Sequence, residues 1–114
     1  MLVSAEPDVA AHDVGAGAAD VTLRALADPT RRRIVELLTA EQLCVCHLIE
    51  LLGARQTNVS NHLRVLRDAG LVKTEACGRF TYYRLRQHAF DAAGELLSDL
   101  ASAAAAPATK RPCP

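Results

Sequence analysis

Two cysteines separated by one residue, Cys44 and Cys46, stand in the apolar stretch Glu41-Gln42-Leu43-Cys44-Val45-Cys46-His47-Leu48-Ile49-Glu50-Leu51-Leu52. Thiolates are soft ligands that select thiophilic ions. In a reducing compartment a close Cys pair is more often a metal or redox site than a structural disulfide. Directly behind it, Gln56-Thr57-Asn58-Val59-Ser60-Asn61-His62-Leu63-Arg64 offers amide, hydroxyl and guanidinium groups, the chemistry that reads base edges and phosphates. A chemical sensor and a DNA reader thus sit back to back.

Positions i and i+2 of a regular helix lie about 200° apart, so Cys44 and Cys46 cannot both face one ion from an undistorted turn. Cys44 is therefore expected at or just before a helix start, where the backbone is not yet helical. Free N–H groups and the helix dipole favour a thiolate there. An ion held by the pair would pull on the first turn of the helix that supports the reader. The bland alternative is that both cysteines are small packing residues, as free Cys often is.

The elements around this pair follow from local pattern. Residues 1–17 mix Ala, Gly, Pro and acids without periodicity and read as a mobile arm. A first helix is expected from about Ala18 to Ala27. Asp28-Pro29, an N-cap and a first-position proline, opens a second helix that runs to about Thr39 with Ile34, Leu37 and Leu38 as its apolar stripe. A third helix, about Val45 to Leu52, ends at Gly53, and a fourth, about Gln56 to Ala69, buries Val59, Leu63 and Leu66 and stops at Gly70. Two short helices around a Gly turn fit helix-turn-helix. Leu71–Glu75 and Arg79–Leu85, separated by Ala76-Cys77-Gly78, form a hairpin or wing. A last helix, about Gln87 to Ala105, carries Phe90, Ala93, Leu97 and Leu100 as a thin seam suited to a second subunit. Residues 107–114 are a flexible tail.

The expected architecture is mainly α with a small β-hairpin: a winged helix-turn-helix over residues 18–106 that dimerises through its first and last helices. At 114 residues the chain is one domain, and one this short hides only about two-thirds of its unfolded surface when it folds alone. Net charge is zero, yet Arg55, Arg64, Arg67, Lys73, Arg79, Arg84 and Arg86 face only Asp68 and Glu75 between residues 55 and 86. That basic half can meet phosphate. No apolar run approaches 20 residues and no leader is apparent, so a cytoplasmic protein without membrane contact is expected. No general-acid, general-base and nucleophile constellation, phosphate-cradling Gly loop or Ser elbow occurs, which argues against an enzyme.

The segments Ala25-Leu26-Ala27-Asp28-Pro29-Thr30-Arg31, Leu43-Cys44-Val45-Cys46-His47-Leu48, Asn58-Val59-Ser60-Asn61-His62-Leu63, Gly78-Arg79 and Tyr82-Tyr83-Arg84-Leu85 together resemble the ArsR/SmtB family of dimeric metal-responsive repressors. The resemblance implies a homodimer on double-stranded operator DNA. Its two recognition helices would meet an inverted repeat about one turn, roughly 34 Å, apart. It also implies DNA contacts from Gln56, Thr57, Asn58, Ser60, Asn61, His62 and Arg64, with Arg79 reaching in from the wing.

The Leu-Cys-Val-Cys segment is similar to that of arsenite and antimonite sensors, and a cadmium/lead branch also uses this segment. Arsenite or antimonite is thus the expected inducer, bound at Cys44 and Cys46, and cadmium or lead the alternative. The arsenite pattern has a third Cys where this chain has Ile49. Cys113 is the preferred third ligand, because a tail of eight residues can stretch roughly 25 Å. Other cadmium/lead patterns place Cys in the N-terminal arm, or where this chain has Val65 and Ala69. The zinc branch uses Asp and His where Gln87 and Ala89 stand, so that class is set aside. Cys77 reads as incidental and His47 as a surface His. A thiol pair that answers oxidants without metal is the remaining alternative.

Overall fold

The computed structural model describes residues 7–114, with side chains from Gly17 onward. Along the described residues the elements are α1 (Pro7–Leu26), α2 (Pro29–Leu38), β1 (Leu43–Cys44), α3 (Val45–Leu52), α4 (Gln56–Asp68), β2 (Val72–Cys77), β3 (Phe80–Leu85) and α5 (Asp91–Ala105). The first helix begins at Pro7, not near Ala18, and takes in most of the stretch expected as an arm. That stretch is rich in alanine, the best helix former, and Gly15 and Gly17 cost only about 1 kcal/mol each relative to Ala. Residues 1–6 lie outside the described residues.

The α1–α2 corner is closed by polar groups. Asp28 caps α2 by accepting the Arg31 backbone N–H at 3.0 Å, and Pro29 follows in the first turn. Two of the three adjacent arginines turn back on α1. Arg31 Nε donates to the Ala25 carbonyl and Arg32 Nη1 to the Leu26 carbonyl, each at 2.6 Å. The last carbonyls of a helix have no partner within it, and a cation there also suits the dipole. Arg33 points outward, where it pairs with Glu36.

Val59, Leu63 and Leu66 form the buried stripe of α4, and they pack with Ile34 and Leu38 of α2 and Leu48 of α3. Leu43, Leu71 and Val72 complete this core from the sheet side. Gly53 ends α3 at φ 62°, in the left-handed region that a side chain disfavours, and turns the chain into α4. The wing is a hairpin closed by Cys77 opposite Phe80, with Gly78 (φ 62°) and Arg79 as its two-residue tip. A third strand was not foreseen: β1 pairs antiparallel with β3, giving the order β1-β3-β2.

The last helix starts at Asp91 and not at Gln87, because the preceding residues close i→i+3 turns, Ala89 N–H to Arg86 O and Asp91 N–H to His88 O. α5 packs on α1 through small residues, with Ala19 and Ala93 buried. Thr22, also buried, donates to the Ala18 carbonyl at 3.0 Å and reaches the Ala89 carbonyl at 3.5 Å. Gly94 of α5 faces open space among the described residues. Among the described residues no helix is long and apolar enough to cross a membrane.

Leu48 and Leu63 are at most 1% exposed. Replacing either with Ala removes transfer energy and leaves a cavity, so each variant is expected to lose about 2–5 kcal/mol in urea unfolding of the reduced protein.

Candidate metal centre and nucleic-acid interface

Cys44 occupies the last position before α3 turns helical. Its backbone is extended (φ −93°, ψ 173°), as the angular argument requires, and it serves as the N-cap. The same residue is the second of β1, opposite Tyr82 of the wing strand. Cys44 is 6% exposed, whereas Cys46, two positions on, is exposed. The two thiols therefore differ in access although one residue apart.

His47 is not the free surface residue expected. It is half-buried, with Nδ1 3.1 Å from the Cys44 backbone nitrogen and 3.2 Å from Cys44 Sγ. The amide N–H donates, so Nδ1 is an acceptor, and in the contact with the sulfur the thiol S–H is the donor. This is the reciprocal half of a capping box, with imidazole where Glu or Gln commonly stands. The Tyr82 ring lies tilted against the imidazole, centroids 5.9 Å apart. A histidine three residues after a cysteine carries no pattern that separates this role from a solvated one, so sequence reasoning missed it.

All four cysteines are free, and Cys77 and Cys113 are exposed. Among the described residues no three Cys, His, Asp or Glu side chains form a group that could hold a metal ion. Cys44, Cys46 and Cys113 are thus not a ready-made three-thiol site.

On α4, Gln56, Thr57, Asn58, Ser60, Asn61 and Arg64 are exposed. Arg55 precedes the helix in extended conformation, which settles its start at Gln56. Arg79 is exposed at the wing tip. His62 differs from its neighbours, because its side chain is only 23% exposed. Its Nδ1 lies 3.4 Å from Arg31 Nη1, and its Nε2 lies 3.9 Å from Asp28 Oδ2. The guanidinium has only donors, so when the imidazole is neutral Nδ1 accepts and Nε2 carries the proton toward Asp28. His62 so ties α4 to the α1–α2 corner.

A family profile for bacterial regulatory proteins of the arsR family matches residues 28–74. A crystal structure of a possible transcriptional regulator for arsenical resistance is 38% identical, with a TM-score of 0.62 over 75% of this chain and 96% of that one. The chain belongs to the ArsR family. The SmtB repressor of Mycobacterium tuberculosis is 46% identical over 71 residues, 62% of this chain and 53% of the relative. The arsenical resistance operon repressor of Escherichia coli K12 is 44% identical over 64 residues, 55% of each chain. The match therefore spans about half the length of these two repressors. Members of this family are regulators and not enzymes, and the winged helix with its reader and wing is the shared frame.

Within this ArsR-family chain, the Arg31 backbone N–H that Asp28 accepts holds its carboxyl below the ordinary aspartate range, and the charges of His62 and Arg31 add to the shift. A lowered carboxylate pKa contributes stability that is present above the unfolded value and lost as pH falls through the folded one. Thermal melts are therefore expected to show a stability loss below about pH 4 that is smaller in Asp28→Asn, which keeps an acceptor but no charge.

Proposed function

We propose that the chain is a homodimeric transcriptional repressor that releases its operator when Cys44 and Cys46 take up a soft ion. The observation that carries this reading is the double role of Cys44, at once the N-cap of α3 and a rung of the β1–β3 ladder, one short helix before the reader. To bring its sulfur and that of Cys46 onto one ion, the chain must turn the first residues of α3. That turn strains the ladder to the wing on one side and the Gly53 hinge to α4 on the other. The reader and the wing tip are thereby moved relative to each other, and both must fit the duplex together. A coupling of about 1–3 kcal/mol, or 5- to 150-fold in affinity, suffices for a switch.

Arsenite or antimonite is the first candidate for the ion, supported by the thiol pair and by the arsenical resistance names of similar proteins. Two thiols suit a thiophilic ion in kind, and Cys113 would complete the set from a tail without regular structure. Cadmium or lead is the second candidate, favoured by the imidazole that stands on Cys44. The DNA-facing set is Gln56, Thr57, Asn58, Ser60, Asn61, Arg64 and Arg79, with His62 as the residue that holds α4 in place. Dimerisation through α1 and α5 is supported by Val21, Leu97 and Leu100, which are 40%, 53% and 57% exposed along the paired helices.

Promoter DNA bound by the reduced protein is expected to be released on adding arsenite in a mobility-shift assay, and Cys44→Ser or Cys46→Ser is expected to stay bound. Release from both variants, or none from the parent, would defeat the sensing site. Arg64→Ala and Arg79→Ala should each flatten the salt dependence of binding by about one unit of log–log slope, as loss of a phosphate contact does. His62→Ala should weaken binding and leave that slope unchanged.

A further inference from the structure

α1 and α4 leave an open cleft of about 310 Å³ between Val21 and Ala25 on one side and Val65 and Ala69 on the other. Arg31 of α2 also lines it and reaches both helices. Its Nε donates to the Ala25 carbonyl at 2.6 Å and its Nη2 to the Arg24 carbonyl at 3.5 Å, while Nη1 faces His62 Nδ1 at 3.4 Å. One guanidinium thus joins the end of α1 to α4, in a planar fork that an ammonium does not reproduce.

This joint holds in one protonation state of His62. Neutral imidazole offers Nδ1 as an acceptor, whereas imidazolium is a donor at both nitrogens. A proton on Nδ1 meets the Nη1 donor, and two positive charges then face each other. The Nε2 side is drawn the other way, because Asp28 Oδ2 at 3.9 Å attracts the imidazolium. Asp28 itself is held as the cap of α2 by the Arg31 backbone N–H. Arg24 of α1 and Asp68 of α4 are the other charged side chains that line the cleft beside Arg31. Protonation therefore pulls His62 off the guanidinium and toward the α2 cap.

We infer that Arg31 is a positioning residue for operator binding, setting α4 against the α1–α5 layer through neutral His62, so that a fall in pH across the imidazole range weakens the grip on DNA. The inference rests on α4 being the helix that meets DNA, the reading proposed above. Arg31 and His62 are both half-buried, so their effect runs through the placement of α4.

A labelled promoter fragment is titrated with the full-length reduced protein and followed by fluorescence anisotropy at fixed ionic strength, at about pH 7.5 and about pH 5.5, across which imidazole changes charge. Parent affinity is expected to fall by about fivefold or more, the lower end of coupling between sites. His62→Gln keeps an acceptor for Arg31 and has no proton to gain. It is expected to bind as the parent does at the higher pH and to lose most of the fall. Arg31→Lys keeps the charge without the fork, and is expected to bind about fivefold or more weakly at the higher pH. An equal fall in the parent and His62→Gln overturns the inference. So does parent-like affinity in Arg31→Lys, which would mean that only its charge counts. If Arg64→Ala and Arg79→Ala weaken binding while either of those results is seen, the role of Arg31 falls alone. If they too bind as the parent does, α4 is not the reader and both readings fall.

Discussion

Leu43 and Cys44 pair with Tyr83 and Tyr82 across a ladder only two residues long, and much of the molecule is arranged by it. Both residues are buried, Leu43 in the core and Cys44 extended at the mouth of α3. The pairing also anchors the start of α3 to the wing. A change in backbone direction at Cys44 therefore cannot stay local. It must be absorbed by β3, by the first turn of α3, or by both.

What lies downstream is stiff. Leu48, Val59, Leu63 and Leu66 are 0–1% exposed, and close-packed side chains of this kind pass a displacement on because there is little void to absorb it. α3 and α4 share that core and are joined through Gly53, where the left-handed backbone sets the angle between them. At its other side α4 is tied by His62 to Arg31, which also closes the end of α1, and to Asp28, which caps α2. α4 is thus held at two points, by α3 and by the corner that leads to the α1–α5 pair.

The α1–α5 layer is built differently. Its inner contacts are small residues, Ala19 and Ala93, whereas Val21, Leu97 and Leu100 remain in water. These exposed side chains are the ones that the second subunit of the proposed dimer would cover.

Patterns confined to a short window were legible in the sequence. The spacing of Val59, Leu63 and Leu66, the Asp28-Pro29 cap and the stops at Gly53, Gly70 and Gly78 are determined by helix periodicity and by which residues tolerate capped or left-handed backbone. The extended conformation of Cys44 also followed from the angular separation of i and i+2. A two-residue strand, by contrast, has no alternation to detect, so β1 emerged only when β3 came alongside it. The partners of His47 and His62 were equally hidden. A histidine has the same type whether solvated or folded back onto a cap, and only the three-dimensional arrangement of Cys44, Tyr82, Arg31 and Asp28 decided which it was. Local backbone preference is written in neighbouring residues, whereas contact between distant ones depends on the packing that brings them together.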